Sequence, residues 1–288
     1  PLVHSAHTLA KVKNALLAEG DCPEPRARVI GEEQVVAEAD RLIASTHEEA
    51  DELVRLYDAD PERVRTIAPG VDLEMFTPGS AERARRRLGL DPNAPTLLFV
   101  GRIQPLKAPD VLLRAAALLR NEVPNLQVVV LGAPSGSGLA EPSWLTGLAD
   151  QLEMAGTVRF VPPADRATVA EYYRAADLTV VPSYNESFGL VALESQACGT
   201  PVVAAAVGGL TTAVDDGVSG VLIDGHDPTM WAKVLGELLT DRNARDTMAR
   251  GAREHAGRFS WQRTADGLLV AYREAITAIS TTLATVAQ

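Results

Sequence analysis

From residue 96 onward, short β-branched runs alternate with helical stretches, and this alternation limits the fold more than any other feature of the sequence. The runs are TLLFVG, LQVVVLG, VRFVP, LTVVPS, PVVAAA and GVLID. Between them lie helical stretches such as APDVLLRAAALLRNEV and PTMWAKVLGELLTD. Strands that are apolar on both faces, each followed by a helix, predict a doubly wound α/β domain with a parallel sheet covered on both sides. A ligand is then expected beyond the carboxyl ends of the strands.

Composition and charge argue against several classes of protein. The 288 residues carry 27 Lys and Arg against 38 Asp and Glu, and the net charge of −11 disfavours broad binding to nucleic acid or anionic membranes. No apolar run approaches the roughly 18 residues of a membrane span, and no secretory leader is recognisable. The two cysteines lack CxxC spacing, which disfavours a disulfide framework or a cysteine zinc site. We expect a cytoplasmic protein of two domains.

The first 70 residues predict only part of a domain. We expect the opening segment SAHTLAKVKNALLAEG to be a helix, followed by a second helix, the strand RLIAST, the helix HEEADELVRLY and the strand VRTIAPG. Because two strands cannot form a stable sheet alone, we expect the sequence to be the later part of a longer one. The expected division is the end of an N-terminal domain at 1–72, a Rossmann-like domain at 73–258 and a C-terminal helix at 259–288.

Two cations follow the first strand of the main domain, in the segment VGRIQPLKAPDVLL. Arg102 and Lys107 come just past the carboxyl end of that strand, and Pro109 favours a helix start directly after them. Cations beside the free amides of a helix N-terminus suit a diphosphate. Two solvated loop charges explain the pattern equally well. The usual nucleotide loops are missing, because GAPSGSG at 132–138 lacks the third glycine of G-x-G-x-x-G and GxxxxGK[ST] has no match.

The segment NESFGLVALE has the same organisation after a later strand. Gly189 would let a ligand approach the backbone, and the amides of Phe188, Gly189 and Leu190 would point at a phosphate. Glu194, about a turn inside the helix, could accept hydrogen bonds from two ribose hydroxyls, and Glu186 could do so for a sugar. Paired carboxylates are also typical of glycosidases. The neighbouring phosphate-binding features favour holding hydroxyls over activating water.

Other features are ambiguous when taken singly. Gly208 and Gly209, after a later strand, fit a tight turn before a helix as well as a ligand site. His7 and Thr8 are expected on a helix beside a Lys-rich stretch, and Arg28 follows a Pro-rich turn. Residues of these types are more often structural or solvated than functional.

Four segments together resemble a known family. GRIQPLK, NESFGLVALE with its E-x7-E frame, GTPVVA and VGGL are similar to segments of the retaining GT-B glycosyltransferases of family 4, over residues 64–280. The resemblance implies an α/β fold of GT-B type, with a complete C-terminal doubly wound sheet and the end of an N-terminal Rossmann-like domain. SAHTLAKVKN further resembles actinobacterial members that begin mycothiol biosynthesis. The activity implied is a retaining hexosyltransferase that moves N-acetylglucosamine from UDP-N-acetylglucosamine to 1D-myo-inositol 3-phosphate.

The resemblance also implies roles for residues of the donor site. Arg102 and Lys107 would hold the donor diphosphate, Glu194 the uridine ribose and Glu186 the transferred sugar. Ala164 would contact the uracil through its backbone. The remaining donor contacts would come from the turn that starts the following helix, namely Ser187, Phe188, Gly189 and Leu190.

On the acceptor side, the resemblance implies that Thr8 and Arg28 hold the phosphate of the inositol and that His7 lies beside the reacting sugar. The leaving phosphate itself would take the acceptor proton in a front-face reaction, so no general base is assigned. The candidate catalytic residues are therefore His7, Arg102, Lys107 and Glu186.

A magnesium site would correspond to Tyr173, Arg174, Ala176 and Thr200. Magnesium prefers oxygen ligands, and arginine and alanine side chains offer none. Only carbonyls and one hydroxyl could serve, so we expect a structural ion at most. The resemblance is also compatible with a homodimer, and it implies that the final helix crosses back onto the N-terminal domain.

Two other functions remain open at this point. The first is a family 4 enzyme with another sugar-phosphate or lipid acceptor, and Arg28 discriminates because an acceptor without phosphate would not need it. The second is a non-catalytic module that binds a nucleotide sugar. Such a module would bind UDP without transferring a sugar.

Overall fold

The computed structural model describes residues 1–17, 22–134 and 143–286, and they fall into two compact units. Unit 1 contains residues 1–17 and 23–70 together with the chain from Phe259 onward. Unit 2 contains the described residues between Val71 and Arg258. Among the helices of these residues, none combines the length and apolar character needed to cross a bilayer.

Strands and helices follow one another along the described chain. The strands are β1 (Val3–Ser5), β2 (Arg41–Ala44), β3 (Val64–Thr66), β4 (Thr96–Val100), β5 (Gln127–Leu131), β6 (Val158–Val161), β7 (Leu178–Val181), β8 (Val202–Ala205) and β9 (Gly220–Ile223). The helices are α1 (Ala10–Ala15), α2 (Arg26–Glu38), α3 (His47–Tyr57), α4 (Ala81–Leu88), α5 (Pro109–Leu119), α6 (Trp144–Gln151), α7 (Arg166–Ala175), α8 (Leu190–Ala197), α9 (Leu210–Ala213), α10 (Pro228–Thr240), α11 (Arg242–Ala256) and α12 (Trp261–Val286).

In unit 1, a parallel sheet has the strand order β1-β2-β3. The expectation of an opening helix is wrong at its start, because Val3–Ser5 forms β1 and pairs with Arg41–Ile43 of β2. Of the described residues in this segment, Ala10–Ala15 alone are helical, so the residues between β1 and α1, which include His7 and Thr8, lie in a loop. A partner strand far along the chain overrides the local helical pattern here.

The last helix of the chain packs within unit 1. Glu274 of α12 accepts hydrogen bonds from Arg41 Nε at 3.1 Å and from Arg65 Nε at 2.9 Å. The Thr264 hydroxyl donates to the Ala68 carbonyl at 2.8 Å. A methyl group on Gly70 would lie 2.3 Å from the Trp261 amide nitrogen, so only glycine permits this close approach. The beginning of α12 therefore packs closely on the backbone that follows β3. Further along the helix, Glu274 forms ion pairs with β2 and β3.

In unit 2, a six-stranded parallel sheet has the order β6-β5-β4-β7-β8-β9. All six strands fall on the β-branched runs named above, and the prediction of a doubly wound parallel sheet is confirmed. When the strands are numbered from β4 along the sequence, their order in the sheet is 3-2-1-4-5-6. Strands up to β6 are added on one side of β4, and strands from β7 onward are added on its other side. That switch point lies between β4 and β7, so their following loops border one crevice. The GAPSGSG segment lies largely outside the described residues.

The core of unit 2 covers both faces of this sheet. Leu97, Val128, Val180 and Val203 are completely buried within strands, and Trp231 of α10 is equally inaccessible. Helices start where the sequence supplies caps: Asp227 accepts a hydrogen bond from Thr229 N at 3.0 Å before α10. Because the central strands are apolar on both faces, function is left to the loops at the strand ends.

Candidate donor and acceptor sites

Lys107 and Glu186 meet at the switch point of the unit 2 sheet. Lys107 ends a short 3₁₀ helix that follows β4, and Glu186 lies in the loop after β7. The Lys107 ammonium forms a salt bridge with Glu186 Oε2, and it also lies 3.4 Å from the Asn185 carbonyl. Both side chains are largely buried, at 16% and 23% exposure, which strengthens their attraction compared with a surface pair. The structure therefore brings together Lys107, which is predicted to bind the diphosphate, and Glu186, which is predicted to bind the transferred sugar.

The Glu186 carboxylate keeps one oxygen for a ligand. Its Oε2 accepts from Lys107 and lies 3.5 Å from the Ser183 hydroxyl. Its Oε1 has no hydrogen-bond partner within the described part of the chain. A carboxylate oxygen in this state can accept a hydrogen bond from a hydroxyl group of a sugar.

Gly208 and Gly209 shape the loop that carries Glu186. The Gly209 amide donates to the Glu186 carbonyl at 2.8 Å. A Cβ on Gly208 would lie 2.4 Å from that same carbonyl oxygen, and one on Gly209 would lie 2.2 Å from Phe188 Cα. Both glycines therefore let two backbones touch, which is a further role beside the tight turn expected from the sequence.

Gly189 is required for a different reason from the one expected. It caps α8 with a φ of 99°, a conformation that side chains rarely adopt. A Cβ there would lie 2.8 Å from Leu210 Cδ2 and 3.2 Å from Ala213 Cβ. The side chain is therefore excluded by α9 rather than by an approaching ligand. The amides of Gly189 and Leu190 make no hydrogen bond within the described residues, as expected for donors at a helix start.

Arg102 is the second predicted diphosphate ligand. It follows β4 directly and is exposed. Within the described residues its guanidinium makes no hydrogen bond or salt bridge. An exposed cation near the carboxyl end of a central strand, with no partner among the described residues, is suited to an incoming anion.

Glu194 lies inside α8 and is held from two directions. The hydroxyl of the completely buried Tyr173 donates to its Oε2 at 3.1 Å, and Arg166 lies 3.7 Å from its Oε1. Burial raises the pKa of the Glu194 carboxyl, while the Tyr173 hydrogen bond and the Arg166 charge act in the opposite direction. The carboxylate is thus fixed in orientation, and among the described residues only Arg166, at 3.7 Å, approaches its Oε1.

Ala164 lies half-buried in the loop between β6 and α7. Two residues later, Arg166 approaches Glu194 and also lies over the Phe76 ring, 5.3 Å from its centroid. The loop of Ala164 therefore lies close to Glu194, the residue predicted to bind the ribose. Arg166 was not identified from the sequence, although its position at the start of the helix that follows β6 was a usable signal.

Two more residues missed from the sequence, Tyr184 and His226, support the Glu186 loop. Tyr184 stacks on His226, with ring centroids 3.9 Å apart. His226 Nε2 lies 3.3 Å from the Ser183 carbonyl, and the Tyr184 amide donates to the Leu106 carbonyl at 2.9 Å. The loops after β4, β7 and β9 are joined in this way. No local pattern marks such a set, because the contacts cross long stretches of sequence.

The predicted acceptor residues Thr8 and Arg28 come together in unit 1. Arg28, in the first turn of α2, donates from one terminal nitrogen to the Thr8 carbonyl at 2.8 Å. It also pairs with Glu24 at 2.9 Å and Glu32 at 2.8 Å. His7 is the exposed neighbour of Thr8 in the same loop. The helix expected for His7 and Thr8 is thus replaced by a loop anchored on Arg28.

The four residues proposed for magnesium cluster around the end of α7, but their side chains do not form a set of magnesium ligands. The Thr200 hydroxyl donates to the Tyr173 carbonyl at 2.6 Å. Arg174 binds the carbonyls of Met75 and Thr77 and pairs with Glu171. Among the residues described, no group of three or more His, Cys, Asp or Glu is placed to hold a metal. Magnesium stays a prediction, and no chemical step is assigned to it.

Two families cover this chain. Residues 80–255 match the family described as Glycosyl transferases group 1, and residues 1–75 match Glycosyltransferase Family 4. Curated relatives include D-inositol 3-phosphate glycosyltransferases of Salinispora arenicola, 63% identical over 96% of this chain and 64% of the relative, and of Thermomonospora curvata, 61% identical over 99% and 68%. The chain spans 64% and 59% of the two Salinispora relatives it matches.

Two solved structures show the same fold. Sucrose-phosphate synthase from Thermosynechococcus elongatus has a TM-score of 0.86 at 32% identity, covering 96% of this chain and 68% of that one. Anabaena HepE in complex with UDP and glucose has a TM-score of 0.79 at 22% identity, covering 93% and 71%, and supports the fold alone. The expected α/β fold of GT-B type is confirmed. With a family match across most of unit 2 and relatives above 60% identity, the chain belongs to the group 1 glycosyltransferases.

Proposed function

We propose that the protein containing this chain is a retaining glycosyltransferase that moves N-acetylglucosamine from UDP-N-acetylglucosamine to 1D-myo-inositol 3-phosphate, the first step of mycothiol biosynthesis. The observation that supports this most is the 63% identity to a D-inositol 3-phosphate glycosyltransferase over 96% of the chain. The donor and acceptor residues implied by the resemblance also form two clusters, one in each unit.

In the proposed reaction, the main demand on unit 2 is to stabilise negative charge on the departing diphosphate. Lys107 and Arg102 provide two cations beyond the end of β4, and the amides at the start of α8 provide hydrogen-bond donors. Lys107 forms a salt bridge with Glu186, so a bound diphosphate would share or replace that partner. The Glu186 Oε1 then accepts hydrogen bonds from hydroxyl groups of the transferred sugar. Glu194 accepts hydrogen bonds from the hydroxyl groups of the ribose.

Product analysis with the full-length protein tests this function. UDP-N-acetylglucosamine and 1D-myo-inositol 3-phosphate are offered together, and we expect release of UDP with formation of a glycosylated inositol phosphate. Unphosphorylated myo-inositol is the matched control and should give little product. Transfer to myo-inositol at the same rate, or UDP binding with no transfer to any acceptor, would contradict the proposal.

A different acceptor is the second candidate, because Arg28 already pairs with two carboxylates. An arginine whose charge is neutralised by two carboxylates could have a structural role in unit 1 without binding a phosphate. A panel of sugar phosphates and a lipid acceptor in the same assay separates the two candidates.

A further inference from the structure

The Glu32 carboxylate is a junction of hydrogen bonds in unit 1. Its Oε2 accepts from the Ala10 amide at 2.9 Å and from the Tyr57 hydroxyl at 2.5 Å. Its Oε1 accepts from Arg28 Nε at 2.8 Å. The side chain is only 19% exposed. A charged acceptor with three donors from α1, α2 and α3 is held in one orientation.

These contacts close a ring around the predicted phosphate site. Glu32 binds Ala10, two residues after Thr8, and it also binds Arg28. Arg28 in turn donates to the Thr8 carbonyl at 2.8 Å. The loop of Thr8 and the guanidinium of Arg28 are therefore fixed relative to each other through Glu32. Tyr57 reinforces the ring, because its hydroxyl also accepts from the Lys11 amide at 3.0 Å.

Arg28 retains donors for a ligand in spite of its ion pairs. A guanidinium has five N–H groups. Within the described residues, Nε donates to Glu32, one terminal nitrogen pairs with Glu24 and the other donates to the Thr8 carbonyl. Each terminal nitrogen therefore keeps one N–H group. Two such donors on one guanidinium match the spacing of two phosphate oxygens.

We propose that Glu32 is the positioning residue of the acceptor phosphate site. It orients Arg28 and anchors the loop of Thr8 so that both reach one phosphate, and it does not touch the substrate itself. This inference rests on the proposed function, because it takes the acceptor phosphate as the ligand of Arg28 and Thr8. The competing explanation is that Glu32 only stabilises the packing of α1, α2 and α3.

The test is the Glu32→Gln variant of the full-length protein. Glutamine keeps one oxygen for the Ala10 and Tyr57 donors, but its amide group would face Arg28 Nε with a second donor. Loss of this charge-assisted bond should raise the KM for 1D-myo-inositol 3-phosphate on the order of tenfold. The KM for UDP-N-acetylglucosamine and the kcat at saturating acceptor should stay within about twofold. A purely structural role would not separate the two substrates in this way.

Glu33→Gln is the matched control, because it makes the same charge change one residue away. Glu33 is 47% exposed and pairs with Lys11 at 2.8 Å. Both KM values should be unchanged in this variant. An unchanged acceptor KM in Glu32→Gln, a fall confined to kcat, or equal effects of the two variants would each overturn the positioning role.

The failure of the inference can be told apart from the failure of the proposed function. A wild-type protein without transfer to 1D-myo-inositol 3-phosphate would overturn both. An active wild type with an unaffected Glu32→Gln variant would overturn the inference alone. If Glu32→Gln does not fold, Tyr57→Phe removes one donor and keeps the carboxylate, and we expect a rise of about threefold in acceptor KM. An unchanged acceptor KM in Tyr57→Phe then overturns the inference.

Discussion

At the scale of single residues, each of the two carboxylates of the donor site lies beside a cation. Lys107 and Glu186 form a salt bridge, and Glu194 is held by Tyr173 and approached by Arg166. Breaking a mostly buried pair by removing one partner leaves the other charge uncompensated. Each of these paired residues therefore affects both ligand binding and the stability of the loops that carry the site.

Lys107→Ala in the full-length protein should keep the fold and lower kcat on the order of 100-fold or more, because a preorganised cation at the departing diphosphate is lost. Lys233→Ala, an exposed lysine on α10, is the control and should leave kcat unchanged. Steady-state kinetics with circular dichroism checks both variants. Normal turnover in Lys107→Ala would remove Lys107 from the mechanism.

At the scale of elements, the site depends on loops that touch across the sheet. Gly208 and Gly209 contact the backbone of residues 186–188, and the loops after β4, β7 and β9 share hydrogen bonds. The six strands of unit 2 could be predicted because β-branched runs are a local signal. The Lys107–Glu186 contact joins positions 79 residues apart, so the sequence alone could only place each of them at a strand end.

Gly209→Ala should displace the loop that carries Glu186, because the new Cβ would lie 2.2 Å from Phe188 Cα. We expect a lower melting temperature and an increased donor KM. Gly147→Ala is the matched control: no atom lies within 4 Å of its Cβ position, and alanine favours the helix in which it lies. A donor KM in Gly209→Ala equal to that of Gly147→Ala would contradict this reading of the glycine pair.

On α3, burial and the neighbouring charges of Glu48 and Glu49 raise the pKa of Glu52 from 4.5 to about 7. The folded protein then holds this proton more tightly than the unfolded chain, so Glu52 favours folding at acid pH. That advantage is lost as pH rises from about 4.5 to about 7. Glu52→Gln should therefore raise the melting temperature at pH 8 and change it little at pH 4.

Thermal unfolding of Glu52→Gln at the two pH values measures this effect, which we expect to be roughly 1 kcal/mol after allowance for solvent screening. Glu62→Gln, at an exposed position after α3, is the control and should show no such difference. An equal change at both pH values would indicate altered packing rather than titration.

At the scale of the whole molecule, the sequence indicated two Rossmann-like parts. In the first part it wrongly predicted a helix from Ser5, where the structure has the end of β1 followed by a loop. The strand β1 has three residues and no period of its own, and it becomes visible only through its pairing with β2. The order of the unit 2 strands could be predicted as doubly wound, since βα units permit few arrangements. Tyr184 and His226 could not be identified, because their partners lie in other loops.

Glu274→Ala should loosen α12 from the unit 1 sheet, because Arg41 and Arg65 lose their shared carboxylate. We expect faster amide hydrogen exchange in β1–β3 and unchanged exchange in β4 and β5. Arg273→Ala, at the exposed neighbouring position, should leave both sheets unchanged. Faster exchange in β4 and β5 would show that the effect is not confined to unit 1.

The position of α12 reverses the order in which the two units can be finished during synthesis. Arg41 and its partner Glu274 are separated by 233 residues, and nearly all of unit 2 lies between them. The six-stranded sheet of unit 2 is therefore synthesised in full while β1–β3 still lack α12. Until translation reaches α12, the surface of β1–β3 that α12 will contact stays exposed, and a chaperone would be expected to bind there.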